Sequence, residues 1–478
     1  MLMATKTWSP EWVSEVTGGV WRRSVNGAFS GAVCTDSRNL KAGDFFCAVT
    51  GERFDGHDFI GSVCDLGAWA VLVEAGRALA IGDLPETCGV LEVANTRAAL
   101  GDLACAWRQC LSSTRVIAIT GSSGKTTTKD LLHHVLGKKL KGTAAAASYN
   151  NDLGVPLTIL KASPEDDYLV LELGTNAIGE IAELAAIAQP DIAAITMIGQ
   201  AHLAGMGSPE AIATEKLSLL DHVRPAGIAV IPDAFKAEVL KRELPLTVCS
   251  FGKTDQAMLQ LVDRGWDIQV QSGWFAVKDT AEHSRRFNLS LAGEHNAQNA
   301  LVVLAIARAM NLSDRVSAAG LASARPSPMR LEIQRVQRHS GGSLTVCNDA
   351  YNANPDSMLA SLACFLEQAP STARLVVVLG DMLELGSASD RLHQQLAQQL
   401  IELDTQKRIA QVVCVGPAAS MMAATLQGSG RLVLAFSELG PIEIAQTCDQ
   451  MAPEDWVLLK GSRGIGLECV IEGIGEIA

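Results

Sequence analysis

The sequence predicts an α/β protein built from three domains. Three observations carry this prediction. A β-branched run at Val116, Ile117 and Ile119 ends in a glycine loop that opens a helical pattern at Lys125. Apolar runs of strand length alternate with helical patterns on both sides of the proline-containing break Ser323–Pro328. The chain has 478 residues, which at roughly 150 per domain makes about three units, each able to bury a core of its own.

Residues 1–93 mix short strands with turns, as in GDFFCAV, GERFDGHDF and AWAVLVE, and predict a small α/β N-terminal domain. Residues 94–325 form the central unit. Strands are expected at Tyr168–Leu173, Ile192–Ile198 and Ile228–Ile231, and helices at Gly179–Ala188, Pro209–Leu220 and Asn296–Met310. Apolar strands separated by helices imply a mostly parallel sheet covered on both faces. Two prolines block helix and central strand alike at Ser323–Pro328, so this stretch reads as a linker. In residues 326–478 the pattern restarts, with strands at Leu344–Asn348, Leu375–Leu379, Val412–Val415, Leu432–Phe436 and Trp456–Lys460. That is a second doubly wound, Rossmann-like unit.

Composition narrows the function. The net charge of −13 argues against nucleic-acid binding and against a polybasic membrane patch. The main basic run, Lys138-Lys139-Leu140-Lys141, reads as a solvated helix end. Aromatic residues make up only 5%, so the cores must rely on Ala, Leu, Val and Ile. The twelve cysteines stand singly with no C-x-x-C, which predicts reduced thiols and a cytoplasmic location. The N-terminus lacks the apolar stretch of a signal peptide, and no apolar run approaches the roughly 18 residues of a membrane span. The expected ligands are small molecules or nucleotides.

The segment Arg115–Leu136, RVIAITGSSGKTTTKDLLHHVL, is the most informative. Strand, glycine loop, Lys-Thr and helix together make a phosphate cradle, in a P-loop ATPase-type sheet. Gly121 and Gly124 let backbone N–H groups approach an anion, and the helix N-terminus adds its positive dipole end. Lys125 is placed to reach the outer phosphates of ATP, and the Thr126 hydroxyl to ligate Mg²⁺. The form is T-G-x-x-G-K-T, because Ile119 stands where the longer motif has glycine.

Parallel α/β sheets bind ligands beyond the carboxyl ends of their strands. Glu172 sits at such an end, His202 follows the strand at Ile192–Ile198, and Lys216 lies on the next helix. Glu172 and His202 either hold a second Mg²⁺ or serve as an ion pair and an ordinary loop histidine. His295, Asn296 and Asn299 open a helix, where Asn either caps the helix or touches a base or ribose. Arg330, just past the linker, is either a surface ion-pair partner or a cation reaching across a cleft to a phosphate. Asn348–Pro355 ends a strand in turn-forming residues, of which Asp349 is the candidate acid.

Taken in order, ITGSSGKTTTKD, NNDLGVPLTIL, AHLAGMGS, GEHNAQNAL, NDAYNANPDSM, LGDMLELG and LKGSRGIGLE resemble the Mur ligases of bacterial cell-wall synthesis over nearly the whole chain. YNANP with GDMLELG is the more specific pairing. It resembles the branch that joins D-alanyl-D-alanine to UDP-N-acetylmuramoyl-tripeptide through an acyl phosphate. The resemblance implies that Gly121, Ser122, Ser123, Gly124, Lys125, Thr126 and Thr127 hold the nucleotide phosphates. It implies that His295, Asn296 and Asp349 contact adenosine, with Arg330 on the moving phosphoryl group. Thr126 would hold one Mg²⁺, with Glu172 and His202 on the other and Lys216 beside them as a carbamate. Asp36, Ser37 and Arg38 would meet the uridine nucleotide, and Asn150 and Asn151 the sugar-peptide end. Tyr351, Asn354, Ser462 and Arg463 would line the dipeptide site. The sequence departs from the family at Ser148, Met197 and Ile231-Pro232-Asp233. A monomeric cytoplasmic enzyme is expected. Its alternatives are another Mur-type amide ligase and a non-catalytic nucleotide switch.

Overall fold

The computed structural model describes residues 8–77, 81–281 and 283–478. The stretch 1–7, on which most of the signal-peptide reading rests, lies outside the described residues. The chain forms three sheets. The first has five strands in the order Val20–Arg23, Gly89–Val93, Ala70–Glu74, Phe45–Cys47 and Val33–Cys34, parallel except for the first pair. GERFDGHDF contributes no strand to it. Asp55 caps a short 3₁₀ turn at Gly56–Phe59 instead, accepting the His57 N–H at 3.0 Å.

The second sheet has nine strands. Gly142–Ala144, Tyr168–Glu172, Arg115–Thr120, Ile192–Ile195, Ile228–Pro232, Thr247–Gly252 and Leu259–Asp267 run parallel in that spatial order. Ser272–Asp279 and Ser284–Leu289 extend it antiparallel. The sequence reading anticipated the apolar parallel strands, whose residues are buried on both faces. It passed over the extension, whose strands bury alternate residues and so present no continuous apolar run. The predicted strand Ile192–Ile198 stops at Ile195, because Thr196 turns toward the glycine loop. The predicted helix Pro209–Leu220 ends at Leu217 and continues as a 3₁₀ turn.

The chain leaves Arg115–Thr120 toward Tyr168–Glu172 on one side and later pairs Ile192–Ile195 on the other. This is a topological switch point, with the glycine loop at its carboxyl end. The third sheet runs Leu432–Phe436, Ile409–Val415, Leu375–Gly380, Trp456–Lys460 and Ser343–Asp349 in parallel. Glu332–Arg338 and Gly475–Ile477 add antiparallel edges. Trp456–Lys460 returns between two earlier strands and so sets Lys460 beside Asp349. The three sheets with their covering helices give the α/β class predicted.

The helix Thr96–Cys110 joins the first two sheets physically. Its Leu100, Leu103 and Trp107 share one core with Leu72 and Leu91 of the first sheet and with Val116 and Leu169 of the second. The Trp107 indole is fully buried and donates to the Ala162 carbonyl at 3.0 Å. We expect Trp107→Ala to cost about 3–5 kcal/mol, through the lost burial and the cavity left behind. Both sheets should unfold in one shifted transition, read by urea melts; a transition confined to one of them would contradict a shared core.

Candidate functional site

The glycine loop is shaped by steric necessity at two positions. Gly121 has φ +152°, and a Cβ there would stand 2.0 Å from the Thr196 hydroxyl. Gly124 has φ +83°, and a Cβ there would stand 2.5 Å from Asn299 Oδ1. The loop is braced from behind. Ser122 N–H donates to the Met197 carbonyl at 2.8 Å, and Thr196 Oγ1 donates to the Ser123 carbonyl at 2.5 Å. Helix Lys125–Leu136 then begins with no side chain capping its first N–H groups. Its open, positive end faces a cavity of about 640 Å³.

A chain of polar contacts crosses that cavity floor. Thr126 Oγ1 donates to Glu172 Oε2 at 2.9 Å, and Arg330 Nη2 donates to Thr126 Oγ1 at 2.9 Å. Asn150 Nδ2 donates to the other Glu172 oxygen at 2.9 Å. Glu172 is only 1% exposed, and these hydrogen bonds compensate its burial. It is no ordinary ion-pair partner. Nor is Arg330 a surface ion pair, since its guanidinium also stacks on Tyr351, 4.2 Å from the ring centre. Lys125 Nζ donates to the Gly121 carbonyl at 2.7 Å. Burial pushes its pKa down, with Glu172 pulling the other way.

Across the cavity, His295 and Asn296 begin the helix Glu294–Ala309. The capping reading fails here. Gly293 occupies the cap position, and the Asn296 amide donates to the Ala292 carbonyl at 2.7 Å. Asp349 pairs with Lys460 at 2.9 Å and accepts the Leu331 N–H at 3.2 Å. Asn354 caps the helix Pro355–Gln368, and its amide also reaches Ser123 Oγ at 3.0 Å. The Tyr351 hydroxyl donates to Ser148, one of the positions that depart from the family. Residues of the third sheet thus contact the glycine loop directly.

Lys216 is buried, and among the described residues its ammonium makes no hydrogen bond or ion pair. Burial, then the nearby Lys125 charge, push its pKa down to about 7, while Glu215 opposes them. His202 lines the cavity with φ +59°, and its Nδ1 lies 2.5 Å from Glu384 Oε2. That contact lowers the Glu384 pKa.

The cavity gathers Ser122, Ser123, Gly124, Lys125, Thr126, Thr127, Asn150, Asn151, Glu172, His202, His295, Asn296, Arg330, Asp349, Tyr351 and Asn354 from the sequence candidates. Gly121 and Lys216 are not among its lining residues; the Gly121 carbonyl accepts from Lys125, which is. Asp36, Ser37 and Arg38 are elsewhere, on a 3₁₀ turn of the first sheet where Arg38 pairs with Asp36 at 2.8 Å. Ser462 and Arg463 do not line it either. Ser462 Oγ accepts the Leu383 N–H at 2.9 Å, and Arg463 pairs with Glu468 at 2.7 Å. Sequence reasoning missed Thr196, Glu384 and Lys460. Lys460 follows a strand end and was legible by the rule that found Glu172. The roles of Thr196 and Glu384 depend on packing that no local pattern announces.

The donor set fits Mg²⁺. Thr126 and Glu172 offer hard oxygen ligands at an open helix N-terminus. No group of three or more His, Cys, Asp or Glu side chains placed to hold a metal ion occurs among the described residues.

The chain is similar to known proteins along most of its length. Three family models match: the Mur ligase family catalytic domain at residues 31–108, the Mur ligase middle domain at 119–307 and the Mur ligase glutamate ligase domain at 329–463. The UDP-N-acetylmuramoyl-tripeptide–D-alanyl-D-alanine ligase of Bacillus subtilis is 33% identical over 93% of this chain and 93% of its own. The ligase of the same name from Escherichia coli is 33% identical over 95% of this chain and 96% of its own. A crystal structure of MurF from Acinetobacter baumannii superposes with a TM-score of 0.84 at 31% identity, covering 98% of this chain and 100% of that one. MurF from Thermotoga maritima, solved in complex with ADP, gives 0.76 at 28% identity, covering 93% and 97%.

His295 offers a test of the site's polarity. Burial pushes its pKa from 6.5 down to about 4, against the opposing pull of Asp349. Below pH 6.5 the unfolded chain therefore takes up a proton that the folded chain refuses. The stability present above pH 6.5 should fall as pH drops toward 4. Urea midpoints between pH 7 and 4 should fall more steeply for wild type than for His295→Gln; parallel slopes would refute the assignment.

Proposed function

The chain belongs to the Mur ligase family, and we propose that within it this protein joins D-alanyl-D-alanine to UDP-N-acetylmuramoyl-tripeptide with cleavage of ATP to ADP and phosphate. One observation carries the reading. A single hydroxyl, Thr126 Oγ1, stands between a carboxylate from the ATP-type sheet and an arginine from the third unit. A site that needs groups from two units suits a reaction of several substrates better than a nucleotide switch.

The proposed reaction runs in two steps. A carboxylate oxygen of the tripeptide attacks the γ-phosphorus of ATP, the bond to the bridging oxygen breaks, and ADP leaves. The free amine of D-alanyl-D-alanine then attacks the acyl carbon, phosphate departs, and the nitrogen gives up a proton as the amide forms. Both steps move negative charge, so positioned cations and hydrogen-bond donors do most of the catalysis. The glycine loop, Gly121–Thr127, receives the phosphates on backbone N–H groups, and Lys125 and Arg330 offset the charge of the transferred phosphoryl. Thr126, and Glu172 with His202, would hold Mg²⁺, which would supply neutralisation of phosphate charge there. Lys216, its pKa near 7, has a neutral amine in reach at physiological pH. That amine is the form that adds CO₂: the nitrogen bonds the carbon, a proton is released to solvent, and the carbamate left is an anion suited to a place beside metal ions.

We assign residues 94–325 to ATP and residues 326–478 to the incoming dipeptide, with Tyr351 and Asn354 at the cavity and Ser462 and Arg463 supporting it. Residues 1–93 take the uridine nucleotide through Asp36, Ser37 and Arg38, with Asn150 and Asn151 toward the sugar-peptide end. His295, Asn296 and Asp349 surround adenosine. All twelve cysteines are unpaired, and no described helix is long and apolar enough to cross a membrane. We place the enzyme in the cytoplasm, as a monomer.

Phosphate release from ATP should require both the tripeptide nucleotide and D-alanyl-D-alanine for full turnover, with the amide product confirmed by mass. Release indifferent to both would favour a switch. Lys125→Ala should lower turnover about a hundredfold or more while leaving circular dichroism unchanged. Activity lost in CO₂-depleted buffer should return with bicarbonate; no response would remove the carbamate from Lys216.

A further inference from the structure

The segment Asp381–Gly386 of the third unit packs on the turn that carries His202, and the ligase reading gives it no task. Its backbone is held at successive residues. Asp381 N–H donates to the Val415 carbonyl at 3.0 Å, and the Asp381 carboxylate accepts the Ala419 N–H at 2.6 Å. Met382 N–H donates to Nε2 of the fully buried His393 at 3.0 Å, and Leu383 N–H donates to Ser462 Oγ at 2.9 Å. The next residue, Glu384, leaves this frame and crosses to the central unit. Its carbonyl accepts the Ala204 N–H at 3.0 Å, and its carboxylate meets His202 Nδ1 at 2.5 Å.

Both partners adopt left-handed backbone conformations, φ +59° at His202 and +65° at Glu384. Non-glycine residues hold such angles only where the surroundings enforce them, and such strain gathers at functional sites. Gly386 has φ +56°, and a Cβ there would lie 3.2 Å from the Ala204 Cβ. The segment therefore seats closely on the His202 turn.

We propose that Glu384 is a positioning residue for His202. The Glu384 carboxylate lies at ion-pair distance from Nδ1, which favours the ring proton on that nitrogen and leaves the Nε2 lone pair for a cation. Carboxylate partners of this kind orient metal-binding histidines and raise their basicity. Because the carboxylate comes from the third unit, docking of that unit completes the ligand. The proposal rests on the reading of His202 as a Mg²⁺ ligand.

The test titrates the full chain with Mn²⁺ in the presence of a non-hydrolysable ATP analogue and reads free Mn²⁺ by electron paramagnetic resonance. Wild type should bind two ions. Glu384→Ala should weaken the second about tenfold and leave the first unchanged. Glu384→Gln, which still accepts a hydrogen bond from Nδ1–H, should recover most of the loss. In turnover, kcat should fall with KM for ATP unchanged, and thermal melts should match wild type. Second-ion affinity in Glu384→Ala equal to wild type overturns the proposal, and so does a loss that Glu384→Gln fails to recover. The metal titration is read without turnover. A wild type with no substrate-dependent phosphate release therefore refutes the ligase reading separately.

Discussion

The arrangement of this site depends on the Thr126 hydroxyl. A hydroxyl has one proton to give and lone pairs to accept with. Here the proton goes to Glu172 and a lone pair takes Arg330. Two opposite charges from different units are thereby held near each other without closing into an ion pair. Both remain able to act on a third party. Replacing the hydroxyl by a methyl would leave a 1%-exposed carboxylate with one donor fewer and an arginine held by its Tyr351 stacking without the Thr126 hydrogen bond.

The hydroxyl stands there because the fold delivers it. Strand Arg115–Thr120 lies at the switch point of the sheet, so the chain on either side diverges and leaves a crevice at its carboxyl end. Thr196, just past the end of the neighbouring strand, holds the glycine loop by the Ser123 carbonyl, while Ser122 N–H is tied to the Met197 carbonyl. The far strand of the parallel run has a different use. Arg264, on Leu259–Asp267, pairs with Glu367 of the third unit at 2.7 Å and lies 3.6 Å from Glu294. Together with the Gln200 N–H donating to Asp356 at 2.9 Å, this seats the helix Pro355–Gln368 over the cavity. Acyl phosphates are lost to water, and a site assembled from two units can exclude it.

Much of this was legible in the sequence because the informative features were local. The buried parallel strands are continuous apolar runs, and Lys125-Thr126 follows a glycine loop in the order phosphate binding requires. Glu172 and Asp349 were found by the single rule that parallel strands present ligand groups at their carboxyl ends. What escaped was non-local. The strand Ser272–Asp279 alternates buried and open residues, a weaker signal than an apolar run. Asn296 has the composition of a cap, but the backbone places Gly293 at the cap and turns the amide back onto Ala292. Ser462 and Arg463 carry a family motif, yet in this arrangement they brace the segment Asp381–Gly386 and a neighbouring helix instead of lining the cavity. Glu384 lies 182 positions from His202, and no spacing argument could join them.

Two lysines of the site are depressed by the same cause. Burial lowers the Lys125 pKa, though Glu172 opposes the fall. Lys216, with deeper burial and Lys125 as a neighbour, drops to about 7. Glu172 and Glu384 pull against the fall at Lys125, and Glu215 against the fall at Lys216, but burial outweighs them at both. A buried lysine with no polar partner among the described residues, beside another lysine of a phosphate loop, is thus a base in waiting. Its low pKa follows first from burial and then from the Lys125 charge that the phosphate site itself requires.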